Sequence, residues 1–291
     1  MDLKFLLATH RALNLTPTRF QKLQLYFKDD WEKVFKAQIT ELQQAGLDPK
    51  GIEKFLTSRE NIIPYKEKER VDKCGAQVLI YGQDNYPENL KNIPFPPVIL
   101  FLRGHLQEED CPCISVVGSR DISSYGEMAI QNIVAKIAQK GITIVSGLAI
   151  GADTLAHRMA LEHGARTIAV LGSGIDDIYP VRNKELAENF LRYGQGAILS
   201  EYLPGTPIRP ENFPLRNRII SGLSQATIVI EAKEKSGSLI TAQTAIDQGK
   251  EVFAVPGSIF AENSKGTNQL ILWGGVHPAL SGEQILEQLG F

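Results

Sequence analysis

The chain predicts an α/β protein, built as a doubly wound, mostly parallel sheet preceded by a small all-α domain. Three observations carry this. From Ile114 onward, short apolar runs alternate with amphipathic helical patterns, the order expected of a βαβ chain. Those runs are apolar nearly throughout, as parallel strands covered on both faces are. Over residues 1–70, by contrast, apolar residues recur at helical spacing.

In chain order, Phe20, Leu23 and Phe27, then Trp31, Val34 and Phe35, then Ile39 and Leu42, then Ile52, Phe55 and Leu56 mark successive short helices. Pro17, Gly46 and Pro49 separate them. A charged segment, Lys66-Glu67-Lys68-Glu69-Arg70, reads as a solvated helix or linker. Domain limits of 1–70 and 71–291 follow. Strand-like runs come at 77–81 and 98–102, divided by the proline-rich Pro94-Phe95-Pro96-Pro97, which cannot be helical throughout. Further strands are expected at 114–117, 142–145, 167–171, 197–199, 227–230 and 252–255. Ile130, Ile133, Val134 and Ile137 mark the helix after the first of these, and 153–163 the next. Helices at 265–273 and around Ile285, Leu286 and Leu289 close the chain.

Composition is that of an ordinary globule: 291 residues, 43% hydrophobic and 22% charged. A net charge of −2 gives no global positive field, so any polyanion site must be local. Cys74, Cys111 and Cys113 are odd in number and form no CxxC, which reads as reduced thiols in the cytoplasm. No apolar run reaches the length of a membrane span or a signal peptide.

Ligands of such a sheet bind beyond the carboxyl ends of the strands. Those ends are alike here: Gly118-Ser119-Arg120, Ser146-Gly147, Gly172-Ser173-Gly174, Ser236-Gly237-Ser238 and Pro256-Gly257-Ser258. Glycine lets backbone N–H groups approach a ligand and serine adds a hydroxyl, so together they predict a polar, N–H-rich crevice. Between the fourth and fifth of the strands from Ile114 onward lies Phe213-Pro214-Leu215-Arg216-Asn217-Arg218-Ile219-Ile220. Pro214 fits just inside a helix start, and Ile219, Ile220 and Leu223 make a stripe for a core. Arg216, Asn217 and Arg218 near that helix N-terminus suit either an anion or an arginine–carboxylate pair holding the helix down. Asp153, Asp176, Asp177, Glu201 and Glu231 fall near the same ends, as caps, as ion-pair partners, or as acid and base of a nucleotide-processing enzyme.

Several motifs are absent. There is no G-x-x-x-x-G-K-[ST], Asp177 stands where a dinucleotide fingerprint needs its third glycine, and Ser146 is not in a G-x-S-x-G. The five histidines are scattered without metal-ligand spacing.

Taken together, the motifs resemble the DNA processing protein A family (DprA/Smf). They include Val117-Gly118-Ser119-Arg120, Ser146-Gly147-Leu148-Ala149 with Asp153 and His157, Leu171-Gly172-Ser173-Gly174 and Tyr179-Pro180 with Asn183. Phe213-Pro214 with Arg216-Asn217-Arg218, Ser236-Gly237-Ser238 and Val255-Pro256-Gly257-Ser258 follow in order, with Tyr86-Pro87 and Pro96-Pro97 upstream. The resemblance spans residues 78–275. It implies an extended Rossmann fold, a helical N-terminal domain of SAM or helix-hairpin-helix type, and a non-catalytic homodimer. That dimer would bind single-stranded DNA, displace or bypass single-strand binding protein, and hand the strand to RecA in natural transformation, without a cofactor. Arg120 and either Arg182 or Lys184 would contact DNA.

Two departures stand out. Asn14-Leu15-Thr16-Pro17-Thr18 lacks the glycines of a DNA-gripping hairpin, and no C-terminal winged helix is expected. The other reading is a nucleotide N-glycosidase of the lysine-decarboxylase-like (LOG) type using Glu231. Against it, Ser236-Gly237-Ser238 stands where such enzymes carry a glycine-rich threonine loop.

Overall fold

The computed structural model describes residues 2–291. Six helices come first: α1 (Leu3–Leu13), α2 (Pro17–Phe27), α3 (Trp31–Lys36), α4 (Ile39–Gln44), α5 (Pro49–Arg59) and α6 (Pro64–Lys73). Asp2, Thr16, Asp30 and Asp48 cap α1, α2, α3 and α5 by accepting first-turn amides, and prolines occupy the first turns of α2, α5 and α6. Phe20 stacks on Trp31 at 5.1 Å between ring centres, at the centre of this bundle. The charged segment proves to be part of α6. It is not wholly solvated, because Glu67 is buried and held by Arg11 and Arg70.

The rest of the chain runs β1 (Gln77–Ile80), α7 (Glu88–Lys91), β2 (Ile99–Gly104), β3 (Cys113–Val117), α8 (Ser124–Gln139), β4 (Thr143–Ser146), α9 (Ala152–Glu162) and β5 (Thr167–Gly174). It continues with α10 (Lys184–Arg192), β6 (Gly196–Tyr202), α11 (Asn212–Leu223), β7 (Ala226–Val229), α12 (Gly237–Asp247), β8 (Glu251–Ala254), α13 (Glu262–Trp273), β9 (His277–Pro278) and α14 (Gly282–Leu289). Among the described residues these strands form one sheet, ordered β1-β2-β6-β5-β4-β3-β7-β8-β9. It is parallel from β6 to β9, while β2 pairs antiparallel with both β1 and β6. The fold is Rossmann-like with a helical N-terminal region.

Side chains alternate across the sheet as strand geometry requires. On one face, Phe101 of β2, Ala169 and Leu171 of β5 and Ile198 of β6 join a single apolar cluster with Leu7 of α1 and Phe55 of α5. The helical bundle and the sheet therefore share a core. On the other face, Leu100, Val170 and Leu199 pack with Ile219 and Ile220 of α11. A third cluster joins Val116 and Ile144 to Ile133 and Val134 of α8 and Ala156 of α9.

From β3 the chain steps through β4 and β5 to β6, then returns along α11 to place β7 on β3's other side. A topological switch point thus lies between β3 and β7, where loops diverge and leave a gap.

Candidate nucleic-acid interface

A crevice of 630 Å³ occupies that switch point. Its rim comes from the Gly118–Ser119–Arg120 loop after β3, Ala149 after β4, and the segment from Lys233 to Ser238 after β7. α11 supplies the remaining wall through Phe213, Arg216 and Asn217. The two principal loops are tied together, since Ser238 Oγ donates to the Gly118 carbonyl at 2.8 Å. Ser236 caps α12 by accepting from the Ser238 amide, so the N-terminus of an 11-residue helix opens onto the crevice.

Three exposed cations stand round the opening: Arg120, Lys233 and Lys235. Among the described residues neither Arg120 nor Lys235 has a hydrogen-bond or ion-pair partner for its side chain, and Lys233 has only Asp121 at 3.9 Å. Sequence reasoning passed over Lys233 and Lys235. Glu234 lies between them, so the segment carries little net charge, yet it directly precedes the Ser236 loop and that adjacency was the available signal. Tyr179 faces the same space, 5.7 Å from the Phe213 ring.

Other residues singled out in the sequence lie beneath or beside this opening. Ser146 is fully buried and donates to the Val116 carbonyl at 2.7 Å. The Gly147 amide donates to Asp153 at 3.1 Å, and its carbonyl accepts from Arg216 at 2.9 Å. A Cβ there would stand 2.6 Å from the guanidinium, so any larger residue would have to displace Arg216. Gly172 lies under the Phe213 ring, Ser173 is buried with its hydroxyl bonded to the Asp177 carbonyl, and Gly174 abuts Asp176 and Leu203.

Arg216 lines the crevice but is not the arginine that pairs a carboxylate. It is 4% exposed, donates to the Gly147 and Val170 carbonyls and to Asn217 Oδ1, and has no ion pair among the described residues. Burial pulls its pKa down to about 10, with Asp153 opposing that shift. Asp153 is itself pushed upward by burial, although the Gly147 and Ala149 amides stabilise its carboxylate. Asn217 is nine-tenths buried and donates toward the Gly237 carbonyl. Arg218 is the arginine that makes the carboxylate pair, with both terminal guanidinium nitrogens on Glu201, and it lines a different cavity.

Arg182 and Lys184 are exposed on either side of Asn183. Asn183 is buried and donates to the Leu148 carbonyl and Thr154 at 2.8 Å and to the Ala149 carbonyl at 3.2 Å. That anchor ties the segment carrying both cations to the loop after β4, although neither cation lines the crevice. Tyr202 points away, donating to the Asn212 carbonyl and lining the other cavity. Glu231 is buried outside the crevice, accepting from the Ser123 amide and hydroxyl and from Asn263. Asp176 receives the Gly205 amide. Among the described residues no three His, Cys, Asp or Glu side chains group as metal ligands.

The sequence profile of the family described as DNA recombination-mediator protein A matches residues 77–290. The chain belongs to this family. Protein Smf of Synechocystis sp. is 37% identical over 289 residues, covering 98% of the chain and 72% of that protein. Among solved structures, DNA processing protein A from Streptococcus pneumoniae superimposes with a TM-score of 0.83 at 34% identity, covering 99% of this chain and 98% of that one. DNA processing protein A from Helicobacter pylori, whose structure describes a single-stranded DNA binding mode, gives 0.64 at 28% identity, covering 74% and 97%. The family match begins at the first strand, so the crevice lies wholly within it, while the pneumococcal likeness extends across the N-terminal helices as well.

Proposed function

We propose that this recombination mediator captures single-stranded DNA in the switch-point crevice and passes it to RecA without chemical turnover. The observation that carries the reading is the set of exposed cations, Arg120, Lys233 and Lys235, around a helix N-terminus and a Gly118-Ser119 loop. Phosphates would sit among those groups, with Arg182 and Lys184 extending the track. Tyr179 would offer a face for a base, which is sequence-tolerant because every base has one. Ser146, Gly147, Arg216 and Asn217 would hold the crevice in shape from below, and Gly172, Ser173 and Gly174 would support Phe213. Arg218 would brace α11 from outside.

A non-catalytic role is supported by Glu231, which is committed to Ser123 and Asn263 and does not face the crevice. An assembly of two copies in the cytoplasm, with single-strand binding protein displaced or bypassed, completes the proposal. No helix among the described residues is long and apolar enough to cross a membrane.

The test is a titration of labelled oligothymidine against duplex of equal length at two ionic strengths. Single strands should bind more tightly. Arg120→Ala and Lys235→Ala should each weaken binding to all sequences alike and make the log–log salt dependence shallower by about one. Unchanged affinity at low salt in both variants would remove the crevice from consideration.

A further inference from the structure

A second cavity, of 550 Å³, lies on the opposite flank of α11. The helix divides its side chains between the two spaces. Phe213, Arg216 and Asn217 face the crevice, while Asn212, Leu215 and Arg218, three residues apart, face the second cavity. The extended segment before the helix alternates in the same way: Ile208 and Pro210 line the crevice, Pro207 and Arg209 the other side. A single narrow sill therefore separates the two.

The second cavity is cationic. Arg11, Arg209 and Arg218 line it against one carboxylate, Glu201, which Arg218 already pairs. Arg11 is held by Glu67, whereas Arg209 is mostly exposed and among the described residues reaches only Glu211, at 4.0 Å. On the wall, Asn212 is 7% exposed and its Nδ2 is a buried donor with no acceptor among the described residues. At the lip, Phe95 is 77% exposed with a φ of 54°, its carbonyl accepting from Arg218 Nε at 2.9 Å. A bulky residue held in the left-handed region with its ring in solvent costs free energy, and such strain concentrates at binding sites. Pro96 and Pro97 continue that apolar lip.

We infer that this cavity is a nucleoside-phosphate subsite, with Arg209 and Asn212 taking a phosphate and Phe95, Pro96 and Pro97 receiving the base. A mostly exposed guanidinium whose nearest carboxylate is 4.0 Å away, lining the same cavity as an unsatisfied amide, suits an oxyanion, and an exposed aromatic face suits a base. The ligand has two sources, a later nucleotide of a strand that crosses the sill or a free nucleotide. The sill favours the strand, and in that form the inference rests on the single-stranded DNA reading above.

Oligothymidines of about 4 and about 16 nucleotides test it against wild type and Arg209→Ala, with dTMP as a separate arm. Arg209→Ala should bind the long strand roughly ten-fold more weakly with a salt slope lower by about one, and the short strand as wild type does. Phe95→Trp should gain an emission that the long strand quenches and the short strand does not. Loss of dTMP binding in Arg209→Ala without any effect on the long strand would assign the subsite to the free nucleotide. If wild type bound no oligonucleotide, the DNA reading would fail and the dTMP arm would decide the subsite alone. Equality of Arg209→Ala and wild type in every arm overturns the inference.

Discussion

Three arginines near one another in space serve three different ends. Arg120 is exposed and unpartnered, Arg216 is buried against backbone carbonyls, and Arg218 is clasped by Glu201. Their variants should separate cleanly. Arg216→Met leaves the Gly147 and Val170 carbonyls without a donor, so urea unfolding should show a loss of about 3 kcal/mol. Arg120→Ala should leave that midpoint unchanged and act on DNA affinity alone. Sequence brought Arg216, Asn217 and Arg218 to attention as a group because helix position and charge are local properties. Their division of labour was not legible, since the partner of Arg216 at Gly147 is 69 residues distant. The same holds for the glycine-serine loops. Their composition is plain in the chain, but which amides stay free depends on Phe213 covering Gly172 and Asp153 occupying Gly147.

At the level of elements, the parallel strands from β3 to β8 were readable to within a few residues because each is apolar on both faces. β5 and β6 run on to Gly174 and Tyr202, past the apolar cores of 167–171 and 197–199, because backbone pairing continues where hydrophobicity stops. α7 has four residues and β9 two, too few for any period to register. The antiparallel placement of β1 and β2 is a matter of pairing partner, which a strand's own residues do not encode. α8 illustrates how an element is fixed from afar. Ser123 caps it through the Gly126 amide, and Glu231 in turn grips the Ser123 amide and hydroxyl. Glu231→Gln weakens charge-assisted bonds at that start, so thermal or urea unfolding should register a loss of about 2 kcal/mol. Single-strand affinity should stay at the wild-type level, since the residue lies outside the crevice. A variant that kept its stability while losing DNA would contradict this assignment.

Across the whole molecule, the helical bundle and the sheet share one apolar cluster, so they should unfold together. Trp31, buried in the bundle, gives a fluorescence transition that should coincide with the far-UV signal of the entire chain. Two buried histidines, one in each part, report on the same event. Burial lowers His10 to about 4, with Arg11 adding to it, and His157 to about 3, with Arg216 adding to it. His157 shares its Nδ1 with Thr167, while its Nε2 is buried without a partner among the described residues. Both therefore stay neutral in the native state and gain protons only on unfolding. Their contribution is intact above about pH 6.5 and is lost as pH falls toward 4, by up to about 1.4 kcal/mol per pH unit for each histidine. Asp153 runs the other way, since its raised pKa lets the native carboxyl protonate first and offsets part of the acid loss. Unfolding measured from pH 7 to pH 4 should show this slope, and His10→Asn should reduce it without splitting the transition.

α11 is fastened on both flanks, through Arg216 to the segments at Gly147 and Val170 and through Arg218 to Glu201 and the Phe95 carbonyl. A part bolted from two sides behaves as a mould and not as a jaw. The loss of freedom on capture then falls on the polymer, whose floppy links must adopt the contour already cut for them, and free and loaded protein should superimpose closely.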